Sequence, residues 1–379
     1  MPISERLKQV GSGVFGRLDG EKRSYRSSAQ QSQRPLIDLS LGSSDLKPPP
    51  RLLQVMADAI SEPLSSRYCL QAATAPFRQA AAAWVQGRFG VSVDPDREIL
   101  LLVGSQEGTA HLPLAVLNPG EHALVLDPSY PSHAGGVALA SGELVRLPLV
   151  AEQGWRPAFE QLSVEQQRQL RLLVMGYPHN PTATTGSQDW LEQAMAIAKQ
   201  GDAVLAHDNP YLDLALEGEA PALLRCDGWR ERGIEFFSFS KGWCLAGFRL
   251  AFAVGAPALI EALARVKGVV DFNQSLALQA GAITALDEFP HWPRQLCDRY
   301  RQRRDRMAAL LTAHGWNVPQ SGMALYQWLP LPEALRDLGS EAAAQWLLQN
   351  SGVALTPGVG FGPSGCLLYT SDAADDRDS

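Results

Sequence analysis

From Pro49 to Asp271 the chain alternates between short apolar runs and longer stretches with apolar residues at helical spacing. The runs "EILLLVG" (98–104), "HALVLD" (122–127), "ELVRLPL" (143–149), "RLLVMGY" (171–177) and "DAVLAHD" (202–208) are closed by Gly, Asp or Pro and predict strands. Between and before them, segments such as "RLLQVMADAISE" (51–62) and "PFRQAAAAWVQGRFG" (76–90) carry good helix formers and predict helices. The strands are almost unbroken in Val, Leu and Ala rather than alternating. That suits a mostly parallel central sheet covered by helices on both faces, an α/β order. Ligands of such sheets bind beyond the carboxyl ends of the strands. Polar residues gather there: "GSQEG" after Val103, "DPSYPSH" after Leu126, "YPHNPTATTG" after Gly176, "HDNPY" after Ala206 and "SFSKG" after Phe237.

The pattern divides the chain into four parts. Residues 1–48 are polar and Gly-punctuated, with one short apolar strand in "LIDLSLG" (36–42), and predict an arm that also serves a smaller domain. Residues 49–270 form the large domain. Residues 271–365, with helical "LALQAGAITALDEF" and "RQRRDRMAALLTAHG", strand-like "MALYQWLPL", and "GVALTPGVGFG", predict a smaller α+β domain. Residues 366–379 are a last, short segment that turns acidic.

Composition narrows the class. The 379 residues are 45% hydrophobic and 19% charged, enough for a large globular core, and the net charge of −7 argues against a nucleic-acid surface. The five cysteines are scattered without a CxxC pair, so neither a disulfide framework nor a zinc site is indicated, and no apolar run suits a signal peptide or a membrane span. A cytoplasmic protein is expected.

Lys241 is the residue that asks for an explanation. Phe236, Phe237, Phe239, Trp243, Leu245 and Phe248 give it an apolar setting that a permanent ammonium resists. Such a lysine suits work as a neutral amine. "GSQEG" opens a helix, whose free N–H groups and positive dipole end can meet a phosphate, and Arg249, Ser238 and Ser240 can add to such a cradle. Asp208 ends a buried strand. Singly, Ser105 reads as a helix cap, Asp208 as a turn former, Tyr211 as a packed aromatic and Asn180 as a turn residue before Pro181. Together they supply a carboxylate, hydroxyl and amide donors, a phosphate cradle and an amine, the set one cofactor needs.

The order Gly104-Ser105, Tyr130, Asn180-Pro181, Asp208-x-x-Tyr211, Ser238-x-Ser240-Lys241, Arg249 resembles the class I/II aminotransferases, pyridoxal-phosphate enzymes of fold type I. The resemblance runs from about Val14 to Gly365, and is greatest to the branch of LL-diaminopimelate, aspartate and alanine aminotransferases. It implies a homodimer that moves an amino group between an L-amino acid and a 2-oxo acid such as 2-oxoglutarate. It further implies that Lys241 forms the internal aldimine with pyridoxal 5'-phosphate and shuttles the proton, and that Asp208 pairs with the pyridinium nitrogen. Asn180 and Tyr211 would bond O3', Tyr130 would stack on the ring, and Ser105, Gln106, Ser238, Ser240 and Arg249 would hold the phosphate with Tyr68 of a second subunit. Gly42 and Asn180 would face the substrate.

Three departures stand out: Ala73 where relatives commonly have glycine, a delayed glycine in "NPTATTG", and "CLLYTSDAADDRDS" after "FGPSG". The family continues there with a short strand bearing the arginine that grips the substrate carboxylate. The segment instead resembles a translated sequencing adapter, so the small domain is expected to lack its last strand and that arginine. Two other readings stay open: a different fold type I reaction, such as a β-lyase, decarboxylase or synthase, and a cofactor-binding homologue without activity.

Overall fold

The computed structural model describes residues 3–10, 13–28, 30–323 and 325–372. Strand β1 (Ile37–Asp38) leads into the large domain, whose sheet contains β2 (Ile99–Val103), β3 (His122–Asp127), β4 (Glu143–Pro148), β5 (Leu170–Met175), β6 (Val204–Asp208), β7 (Gly233–Ser238) and β8 (Leu250–Gly255). Their order is β2-β8-β7-β6-β5-β3-β4. Every pairing is parallel except the two made by β8, which runs against both β2 and β7. Six strands therefore share one direction.

The unbroken apolar runs have the cause their sequence suggests. Successive strand side chains point to opposite faces, and each face has its own core. Leu100, Leu102, Val125, Val174 and Phe236 pack with Leu112, Val137 and Leu263 from helices Ser105–Val116, Pro131–Leu139 and Pro257–Val270. Leu101, Leu124, Leu173, Leu205 and Phe252 pack on the other face with Phe77, Trp84, Leu191 and Leu286. This second core continues past residue 270: helix Leu276–Glu288 lies on helices Pro50–Ile60 and Ala75–Phe89.

The smaller part holds β9 (Tyr326–Pro330), β10 (Val353–Ala354), β11 (Thr356–Pro357) and β12 (Leu368–Asp372). Strands β11, β12 and β9 form an antiparallel sheet with β12 in the middle, and β10 pairs with β1. The expected gap after Gly365 is thus filled: Leu368 to Asp372 pairs with Pro330 to Tyr326 along its whole length. Backbone ladders need no particular side chains, and Tyr369 buries its ring edge-on to Trp316 at 5.9 Å. Residues 373–379 of the expected foreign tail lie outside the described residues.

The arm also departs from expectation. Val14–Arg26 is a helix that buries Val14, Leu18, Lys22 and Tyr25 at spacings of four, four and three. Lys22 sits in this buried stripe because its Nζ meets Asp38 Oδ2 at 2.9 Å and Ser40 Oγ at 3.2 Å. Burial alone raises the Asp38 carboxyl, but the bonds from Ser40 and Lys22 outweigh it and hold the group below its ordinary range. Among the described residues no helix is long and apolar enough to cross a membrane.

Beneath the end of β7 the rings of Phe77, Trp84, Phe237, Phe239, Trp243 and Phe252 meet edge-on or tilted, with centroids 5.1 to 6.5 Å apart. Phe77 is fully buried in this cluster. Phe77→Ala is expected to cost about 3–5 kcal/mol of stability, read as a lower denaturant midpoint with an unchanged transition slope.

Candidate active site

The aromatic cluster fixes the turn that carries Lys241. Ser238 closes β7 and caps the short helix Phe239–Gly242, its Oγ accepting the Ser240 amide at 3.1 Å. Phe239 and Trp243 go down into the core, leaving Lys241 on the side of a cavity of about 400 Å³. Lys241 Nζ donates to the Gly42 carbonyl and lies 5.9 Å from the Tyr211 ring centre. Gly42 must be glycine: an added Cβ would stand 2.5 Å from Cε1 and Cζ of Tyr326.

Asp208 ends β6 and is 7% exposed. Its Oδ2 meets His133 Nε2 at 3.2 Å, while Oδ1 is buried without a partner. Gly176, at the end of β5, makes room for this pair, since a Cβ there would meet His133 Cε1 at 3.3 Å. Asn180 Nδ2 donates to Tyr211 Oη at 3.2 Å, Tyr211 Oη bonds Tyr326 Oη at 2.8 Å, and Asn180 Oδ1 is likewise buried without a partner. Burial, followed by Tyr326, Tyr130 and Asp208, drives the Tyr211 hydroxyl well above the usual phenol range, so it stays protonated and able to donate. Tyr130 is pushed up too, first by burial and then by Asp208, against a smaller opposing effect of Arg249.

The opposite end of the cavity is a cradle. Gly104 precedes helix Ser105–Val116 with φ 76°, and a Cβ on it would clash with the Arg249 guanidinium. Arg249 has a left-handed backbone, φ 53°, and its Nη1 donates to the Ala246 carbonyl at 3.0 Å. Ser105, Gln106, Ser238, Ser240 and Arg249 all line the cavity, with Tyr130 Oη 3.2 Å from Gln106 Oε1. The structure thus gathers at one cavity every anticipated residue except Tyr68, with Gly104 at its edge. Tyr68 is 82% exposed and rests on Phe272, ring centres 5.2 Å apart.

Sequence reading missed several lining residues: His133, Tyr326, Phe15, Phe361 and Thr370. His133 follows Tyr130 by three positions at a helix start, a spacing that places both on one side. The others come from the arm and the small domain, far along the chain from the strand ends, and have no local signature. Thr370 is buried in β12 with its Oγ1 unpartnered.

The unpartnered oxygens test whether pyridoxal phosphate fits. A buried carboxylate oxygen left unpaired is costly, and a protonated pyridine nitrogen is the donor it lacks. Together with an amine at Lys241 and an anion cradle at Gly104–Gln106 and Arg249, the residues suit the cofactor's ring, aldehyde and phosphate.

A seven-stranded, mostly parallel sheet with one lysine at the centre of its carboxyl edge defines a fold type I transferase. The sequence profile of the aminotransferase class I and II family matches residues 34–374. The LL-diaminopimelate aminotransferase of Dehalococcoides mccartyi is 34% identical over 96% of this chain and 92% of its own. The glutamate-pyruvate aminotransferase AlaC of Escherichia coli is 33% identical over 90% of this chain and 83% of its own. A probable N-succinyldiaminopimelate aminotransferase from Thermus thermophilus is similar in structure, with a TM-score of 0.88 and 37% identity over 96% of both chains. The chain belongs to the class I and II aminotransferases, enzymes that depend on pyridoxal 5'-phosphate.

The close fit at Gly42 gives a prediction. Gly42→Ala forces the Tyr326 ring aside and breaks its bond to Tyr211, so turnover should fall about tenfold or more while bound cofactor, measured by absorbance, is retained.

Proposed function

We propose that this enzyme transfers an amino group from an L-amino acid to a 2-oxo acid, with 2-oxoglutarate as the usual acceptor and Lys241 as the covalent anchor of the cofactor. The observation that carries this is the single cavity in which Lys241 stands between the Asp208–His133 pair and the Gly104–Arg249 cradle. Bound there, pyridoxal phosphate supplies an electron sink for the carbanion formed at the substrate Cα.

The chain's own residues do the rest. Asp208, oriented by His133, holds a proton on the ring nitrogen. Tyr211 donates its hydroxyl proton toward O3'. Asn180 Nδ2 donates to the Tyr211 hydroxyl oxygen, which leaves the Tyr211 proton free to point at O3'. Lys241 Nζ, released from the Gly42 carbonyl, moves a proton between substrate Cα and cofactor C4'. Tyr130 would pack on the cofactor ring, and Ser105, Gln106, Ser238, Ser240 and Arg249 would hold its phosphate.

A homodimer and a cytoplasmic setting complete the reading. Leu70, Tyr68, Val269 and Phe272 are 59%, 82%, 89% and 51% exposed, an apolar surface that suits a second copy bringing its own Tyr68 near the cradle. All five cysteines are free, as a reducing compartment keeps them. Residues 366–379 are read as a replacement of the native sequence, with Thr370 at the lining position where the family resemblance puts an arginine.

Two experiments test the proposal. Borohydride reduction of the cofactor-loaded enzyme should label the peptide containing Lys241, and Lys241→Ala should lose both the label and half-transamination of a panel of amino donors while staying folded. A label on another lysine removes the anchor assignment. Thr370→Arg should lower amino-acid KM by about tenfold or more through a charge-assisted carboxylate pair; an unchanged KM means that another group holds the carboxylate.

A further inference from the structure

Under the first turn of helix Ser105–Val116 lies an ion pair that the transfer chemistry does not use. Lys267 Nζ is 3.0 and 3.1 Å from the two Glu107 carboxylate oxygens and 2.8 Å from Asp271 Oδ1, and the side chains of Lys267 and Glu107 are each 4% exposed. Glu107 turns back to accept the amide of Val103, the last residue of the edge strand β2. Beyond Asp271, Gln274 Nε2 donates to the carbonyls of Leu102 and, at 2.6 Å, of Arg249. The strand ends that become Gly104 and Arg249 are therefore both tied by residues 267–274.

The tie at Glu107 has an electrostatic cost. A carboxylate in the first turn of a helix draws on the same positive N-terminal field that a phosphate dianion uses, and it repels that dianion directly. The groups facing it are Lys267 and Asp271 from helix Pro257–Val270 and its end, His111 Nδ1 at 3.9 Å from Glu107 Oε1 on its own helix, and Arg249 at the neighbouring Gly104 turn. Burial raises the Glu107 carboxyl, and Lys267 is the largest influence opposing that rise.

We propose that Lys267 is a positioning residue of the phosphate cradle: by neutralising Glu107, it lets that carboxylate hold the Val103 amide and shape the Gly104 turn without opposing the cofactor phosphate. The inference rests on the cradle assignment made above. It makes the phosphate end of the cofactor, and not its ring, sensitive to a charge buried behind the backbone.

The test compares pyridoxal phosphate with pyridoxal, which lacks the phosphate, by titrating each into full-length apoenzyme and following tryptophan fluorescence. Lys267→Met should weaken pyridoxal phosphate about tenfold relative to pyridoxal. Relative to the wild type at the same pH, the loss should shrink as pH falls, because Glu107 without its partner takes up a proton. Glu107→Gln/Lys267→Met should restore most of the affinity. Lys267→Arg and Glu107→Gln, which keep the fold's polar contacts, should both bind pyridoxal phosphate at least nearly as well as the wild type. Equal loss of both ligands in Lys267→Met, or no recovery in the double variant, overturns the proposal in favour of a purely structural role. A Glu107→Gln enzyme that loses phosphate-dependent affinity overturns it too, even if Lys267→Met does not fold. Arg249→Ala separates the two levels of argument. If it loses the preference for pyridoxal phosphate while Lys267→Met keeps it, the cradle stands and the inference falls; if it keeps the preference, the cradle assignment itself fails.

Discussion

Six strands running in one direction under two covering layers are the constraint from which the rest follows. Because both faces of the sheet are buried in apolar cores, polar groups are driven to the strand ends, and the shared direction brings those ends to one edge. Asp208, Ser238 and the Gly104 turn come from strands far apart in the chain, yet they border one cavity. The single reversed strand, β8, sits between β2 and β7, and delivers its first residues, after Arg249, beside the Gly104 turn.

Within that frame the site is held by rigid layers behind it. The rings beneath Phe239 and Trp243 fix the Lys241 turn, His133 orients Asp208, and Tyr326 of the small domain positions Tyr211 and is itself admitted by the missing side chain at Gly42. Lys241 is the member of the set that reaches across to the arm. Its Nζ donates to a backbone carbonyl, that of Gly42, which lies outside the strands.

How much of this was legible in the sequence depended on distance along the chain. Five strands and their polar ends were readable because burial on both faces leaves a continuous apolar run; Asn180, Asp208 and Tyr211 follow such runs, Lys241 follows the end of β7, and Arg249 comes just before β8. Strand β8 went unremarked because it directly follows the Lys241 segment with no turn signal of its own. The helix Val14–Arg26 was hidden by Gly16, Gly20 and a buried lysine, which dilute a stripe of only three apolar residues. Pairs such as Lys267 with Glu107, 160 positions apart, and Tyr211 with Tyr326 exist only once the fold has formed. The strand at 368–372 was unexpected because its residues lack the arginine the family resemblance implies there, whereas a ladder between two existing strands asks only for an extended backbone.

That last strand carries a consequence of its own. Alternate residues of β12 face opposite ways, so Thr370 meets the cavity while Tyr369 packs against Trp316. The connection from Gly358 to Leu367 sets which of them does so. Loss or gain of one codon in that connection, with the ladder to β9 kept, would exchange a threonine for a tyrosine or a serine at the cavity wall. Loop length therefore decides which side chain of β12 borders the cavity, without any substitution inside the strand itself.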